Sequence, residues 1–206
     1  MRKVCAVIVS VVAVWLAVFC VPAWASENHS TLSSGYFHAR ARVPGSGDLN
    51  GINVKYRYEF TDCLGGMLSL SYASAKKSHT VMTGENEVSR ERWFHDESLH
   101  GSYVSAMAGP VLRISKQISA YAIAGVVHSR WKNSVRDYRT EEIQPGYTKE
   151  TTTASDGSVA QHTSLAWGAG VQFNPTESVA IDLAYEGSGS GDWRTDGFIV
   201  GMGYKF

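Results

Sequence analysis

Ile52-Asn53-Val54-Lys55-Tyr56-Arg57-Tyr58-Glu59-Phe60 alternates without a break. Ile52, Val54, Tyr56, Tyr58 and Phe60 share one face, and Asn53, Lys55, Arg57 and Glu59 share the other. A period of two places successive side chains on opposite sides of an extended chain, so this is a strand with an apolar and an ionic surface. Which of the two surfaces is enclosed decides the fold.

The same pattern recurs along the chain. Val179, Ile181, Leu183 and Tyr185 oppose Ala180, Asp182, Ala184 and Glu186. Leu165, Trp167, Ala169, Val171 and Phe173 alternate with Ala166, Gly168, Gly170 and Gln172. At the C-terminus, Phe198, Val200, Met202, Tyr204 and Phe206 oppose Gly197, Ile199, Gly201, Gly203 and Lys205. Shorter or less regular alternation marks Leu68-Ser69-Leu70-Ser71-Tyr72 and Val104 to Ile114, the latter with Tyr103, Ser105, Gly109 and Arg113 opposite. Leu32–Tyr36 and Ile118–Trp131 complete a set of eight expected strands.

The connections carry as much information. Thr61-Asp62-Cys63, Ser115-Lys116-Gln117 and Asn174-Pro175-Thr176-Glu177 read as tight turns. Long polar links run from Ala75 to Leu99 and from Asn133 to Gln161, and Gly- and Ser-rich links from Arg42 to Asn50 and from Gly187 to Asp192. Strict alternation of short and long links is the habit of outer-membrane barrels, with short periplasmic turns and long extracellular loops.

A water-soluble eight-stranded barrel is the competing fold, and it would turn the apolar set inward. The glycines decide against it. Gly168, Gly170, Gly201 and Gly203 lie on the ionic face, and small residues belong in the narrow interior of an eight-stranded barrel. Lys55, Arg57, Glu59, Asp182 and Glu186 carry both signs and form the expected interior charge network, since unpaired charges there would cost several kcal/mol each. The other face offers Tyr and Trp near strand ends, as aromatic girdles at a lipid boundary require. The fold class is therefore all-β, an eight-stranded antiparallel transmembrane barrel.

The 206-residue chain has no net charge, and its charged residues, at 18%, fall below the roughly 25% of a soluble domain. Without a basic excess, nucleic acid is excluded as a partner. Met1-Arg2-Lys3, the apolar run Val4–Val21, Pro22 and Ala23-Trp24-Ala25 read as a cleaved secretory signal over 1–25, with cleavage between Ala25 and Ser26. An uncleaved anchor is the weighed alternative, because the run is near the length of a span. Residues 26–206 are then the barrel, with Cys63 as its one thiol and no internal disulfide.

Gly51–Glu59, Ala108-Gly109-Pro110, Gly168–Pro175, Val179–Glu186 and Val200–Phe206 together resemble the Ail/Lom family, which includes OmpX and PagC. The resemblance spans the mature chain at its strands and is nearest to the phage-encoded branch. It implies an eight-stranded barrel in the outer membrane of a lysogenised host. It also implies a non-enzymatic surface role in adhesion, invasion or serum resistance. Tyr204-Lys205-Phe206, in phase with a complete strand, resembles the signal read by barrel-assembly machinery.

Chemistry-bearing motifs are few. His95-Asp96-Glu97, with Glu91 and His100 nearby, is the densest cluster, but it lacks metal-ligand spacing and sits in a polar link. It would be the site of the alternative function, a barrel enzyme acting on lipid or peptide at the cell surface. No catalytic, cofactor or metal residues are assigned. Binding belongs on the outer links, because the wall faces lipid and the lumen is filled. The candidate contacts are Lys76, Lys77, Arg90, Arg92, Trp93 and Phe94 in one long link, and Arg136, Tyr138, Arg139 and Tyr147 in the other. Arg beside exposed aromatics is the composition of contact surfaces, and basic residues above the wall suit lipopolysaccharide phosphates. The expected partners are the lipid bilayer with its lipopolysaccharide and host-cell or extracellular macromolecules, bound by a monomer.

Overall fold

A computed structural model describes residues 30–43, 46–86, 91–144 and 147–206. The Ala25–Ser26 junction and Arg90 lie outside the described residues. Eight strands run β1 Ser30–Ala41, β2 Leu49–Glu59, β3 Leu64–Asn86, β4 Glu91–Arg113, β5 Ile118–Gln144, β6 Tyr147–Phe173, β7 Val179–Ser188 and β8 Thr195–Lys205. Each pairs antiparallel with its sequence neighbour, and β1 pairs with β8 to close the ring. Reciprocal hydrogen bonds between Ser30 and Phe206 (3.0 and 2.8 Å) finish that join. Closure leaves the membrane-embedded part without a free backbone edge, which hydrocarbon would not tolerate.

The alternation translates directly into inside and outside. Leu165 is 79% exposed, Met202 67%, Ile52 63% and Val200 57%, forming a continuous apolar exterior. In water such a belt would drive association, and in a bilayer it meets acyl chains. Lys55, Arg57, Asp182 and Glu186 are 1–2% exposed on the axis. They are joined there by Phe37, Leu49, Val111 and Val127, so the interior is a packed mixture of apolar and hydrogen-bonded groups.

The structure departs from the sequence reading in strand length. β1 continues past Tyr36 to Ala41, and β5 past Trp131 to Gln144. The segments read as long links are mostly strand: β3 pairs with β4 from Leu64↔Leu112 to Asn86↔Glu91. β5 pairs with β6 from Ile118↔Phe173 to Gln144↔Tyr147. Above the membrane both faces of a strand meet water, so extended backbone persists without any apolar alternation to announce it.

Candidate functional site

Two sites come out of this arrangement, one inside the barrel and one above it. Inside, β7 supplies a column of acids to which the earlier strands donate. Lys55 pairs with Asp182, whose two oxygens also accept from Tyr121 Oη at 3.0 and 2.9 Å. Glu186 accepts from Tyr103 Oη at 2.7 Å and Ser71 Oγ at 2.8 Å. Nearer the short turns, Glu59 binds Arg57 at 2.7 Å, Arg113, and Lys205 at 3.7 Å, while Arg57 Nη1 donates to Gln172 Oε1 at 2.7 Å. Buried charges are tolerable only when each finds such partners. Arg113, Lys205, Tyr103 and Tyr121 belong to this network and were not singled out from the sequence. Single-strand periodicity shows which face they share, not which strand they meet across the axis.

The second site is a sheet that outgrows the barrel. β2 accompanies β3 only as far as Asn50↔Ser74, and β7 accompanies β6 only from Ala166↔Ser188. Beyond those points β3, β4, β5 and β6 continue as a four-stranded sheet, with β3 and β6 as its edges. At about 3.3 Å per residue, β3 extends roughly 40 Å and β6 about 60 Å along the chain past the last barrel partner. Among the described residues, no strand pairs with the outer flank of β3 from Ala75 to Glu85 or of β6 from Tyr147 to Ser164, and such a flank offers its backbone donors and acceptors to a partner.

The sheet divides the candidate contacts between two faces. Cross-strand register aligns Phe94 with Tyr138, Asp96 with Arg136 and Arg92 with Thr140 on the outward face, which continues the lipid-facing wall. Phe94 and Tyr138 stack with ring centroids 5.1 Å apart, and the Arg136 guanidinium lies 4.8 Å from the Tyr138 ring. Arg136 also pairs with Glu150 at 2.5 Å. Lys76 shares that face, whereas Lys77, Trp93 and Arg139 turn toward the barrel axis. There Arg139 binds Glu91 at 2.8 Å and His95 binds Asp137 at 2.6 Å. Tyr147 opens β6 opposite Gln144.

His95-Asp96-Glu97 does not converge. His95 and Glu97 point inward and Asp96 outward, where Thr80 Oγ1 donates to it at 2.9 Å. No group of metal-ligating side chains occurs among the described residues. Across the mouth of the barrel from the sheet, charges are neutralised locally: Arg40 binds Asp48 at 3.3 Å, and Arg194 binds Asp196 at 2.8 Å. Tyr185 Oη also donates to Asp196 at 2.7 Å. Gly189 and Gly191, with φ of 69° and 59°, turn the β7–β8 link so that Trp193 stacks on His162 at 5.0 Å.

Comparison with known proteins fits this architecture. A family model described as Enterobacterial Ail/Lom protein matches residues 1–206. The chain is 60% identical to the outer membrane protein lom of Escherichia phage lambda, over 100% of both chains. It is 32% identical to the virulence membrane protein PagC of Salmonella typhimurium, over 88% of this chain and 89% of that one. Among solved structures, Ail of Yersinia pestis in complex with the heparin analogue sucrose octasulfate aligns with a TM-score of 0.62 at 30% identity, over 88% of this chain and 100% of that one. A ring of eight strands with a lipid-facing wall, matched along its whole length, makes this chain a member of the Ail/Lom family of outer-membrane β-barrels.

Proposed function

We propose that this protein is a prophage-encoded, non-enzymatic surface protein that works through its protruding sheet. In this reading residues 1–25 are removed on export, the barrel-assembly machinery inserts the monomer, and the sheet stands among lipopolysaccharide and external macromolecules. One observation carries the proposal: four strands leave the membrane with two edges that no strand among the described residues covers, and with arginine and aromatic side chains on both faces. Such edges take up extended peptide by strand addition, and such faces suit polyanions. The complex of the Yersinia pestis relative with a heparin analogue supports an anionic glycan as one external ligand. The phage lambda relative supports a prophage origin. The in-phase Tyr204-Lys205-Phe206 supports recognition by the assembly machinery.

Deleting residues 76–99 from the full chain, with the cut ends joined by a tight turn, tests the attachment role. Cells bearing the shortened barrel are expected to lose binding to immobilised heparin and epithelial monolayers, while heat-modifiable gel migration reports an intact barrel. Undiminished attachment with an intact barrel would overturn the proposal.

A further inference from the structure

We propose that the short-turn end of the barrel axis binds a small tetrahedral oxyanion, a free phosphate or sulfate dianion, through Arg57, Arg113 and Lys205. The inference rests on the interior charge network and is independent of the protruding sheet and its attachment role.

Charge is divided unevenly along the axis. Arg57 at 2.7 Å, Arg113, and Lys205 at 3.7 Å all bridge Glu59, so three cations share one carboxylate. Farther from the short turns the proportion reverses, with Asp182 and Glu186 facing Lys55. Those two acids are engaged there by Tyr121, Tyr103 and Ser71. The C-terminal carboxylate lies at the short-turn end, where it accepts from the Ser30 backbone N–H at 3.0 Å. Among the described residues, neither it nor Asp62 or Glu177 of the turns bridges any of the three cations. This end therefore carries two positive charges beyond what its carboxylate neutralises, and low-dielectric surroundings magnify their repulsion.

The donors converge. Binding the two oxygens of one carboxylate holds both guanidinium groups and the ammonium within a few ångströms of one another. Arg57 is 2% exposed, with Nη2 on Glu59 and Nη1 on Gln172 at 2.7 Å. Its Nε is also buried and meets no acceptor among the described residues, and the same holds for Arg113 Nε. A buried donor left without an acceptor destabilises the fold, the more so on a charged group. Two such donors beside an excess of two positive charges call for an acceptor with several oxygens and two negative charges. Phosphate and sulfate have both, and their edges match the guanidinium fork.

Access selects a free ion. The side chains of Arg113 and Lys205 are 23% and 16% exposed, so the cluster is approached from the mouth beside the short turns. Toward the other mouth Phe37, Leu49, Val127 and Ile199 are buried and fill the axis. An eight-stranded ring is too narrow for more than a small ion, and a lipid headgroup stays outside its wall. An ion that binds only the closed ring also stabilises it by mass action.

The test uses the full barrel in phosphate-free maltoside micelles at constant ionic strength, titrated with inorganic phosphate, sulfate, chloride or glycerol phosphate as a headgroup mimic. Phosphate is expected to shift the Arg57 and Arg113 Nε–H resonances saturably and to raise the urea midpoint; sulfate competes and chloride does not. Arg113→Gln and Lys205→Gln each weaken phosphate binding by about fivefold or more, and Lys205→Arg retains it. Glu59→Gln tightens it by a similar factor, because the excess positive charge rises. Lys116→Gln, on the neighbouring turn, leaves it unchanged. Heat-modifiable migration confirms that each substituted barrel is folded. A network with a purely structural role would lose stability in these variants with phosphate affinity unmoved. Absence of a saturable shift in the parent, weaker phosphate binding by folded Glu59→Gln, or displacement by equimolar chloride overturns the site. Glycerol phosphate bound as tightly as inorganic phosphate overturns the assignment to a free ion. Lys205→Gln leaves the sheet intact, so its attachment to cells reads the earlier proposal separately.

Discussion

Within β3 through β6 the chain crosses from one solvent to another without changing secondary structure, and the two halves obey different rules. Below Ser74 and Ala166 each strand separates lipid from a packed axis, so its side chains alternate between an apolar wall and an enclosed interior of mixed polarity. Above those residues both faces are wet, and the same strands carry Lys, His, Thr and Ser on either side. The lower half is specified by burial and the upper half by backbone pairing with neighbours. Charge obeys the same division: it is enclosed and ion-paired in the axis, and partly exposed in the sheet.

The largest test of that contrast is to break one pair in each half. Lys55→Met strands the Asp182 carboxylate in the axis and is expected to destabilise the barrel by about 3–5 kcal/mol in urea unfolding from lipid vesicles. Joining it with Asp182→Leu should recover most of that loss, because an apolar pair of similar size leaves no buried charge. A single change that unfolds no more easily than the parent would mean that water reaches the axis.

The wall provides the next largest difference. Leu183→Arg places a charge on the lipid face and is expected to cost about 2–4 kcal/mol by the same measurement. Val159→Arg, on β6 above the barrel, is expected to stay within about 0.5 kcal/mol. Equal costs at the two positions would dissolve the boundary drawn here between wall and sheet. The smallest effect belongs to Arg136→Gln, which removes an exposed pair with Glu150 and is expected to change stability by less than about 1 kcal/mol. A loss as large as that of Lys55→Met would show the sheet to be as tightly coupled as the axis.

The same contrast explains what the amino-acid order revealed. Ile52–Phe60 and Val179–Glu186 lie wholly inside the membrane part, so their alternation identifies a barrel strand from a single stretch. Lys76–Asn86 has no such signature, and a polar strand with two wet faces reads as a loop. Ends of strands were obscured for that reason, not because the residues there are poor strand formers. The axis hides a different layer of information. That Glu59 gathers Arg57, Arg113 and Lys205 depends on β2, β4 and β8 approaching one another. The stacking of Phe94 on Tyr138 depends equally on register between two strands, which local pattern does not encode.

The seam between β1 and β8 joins the two strands most distant along the polypeptide. Until the final segment docks, every partial ring has two raw margins that hydrocarbon cannot satisfy, so insertion has to be a concerted event rather than a strand-by-strand accretion. A chain interrupted before Thr195 would leave β1 without its closing partner and the ring open along that side.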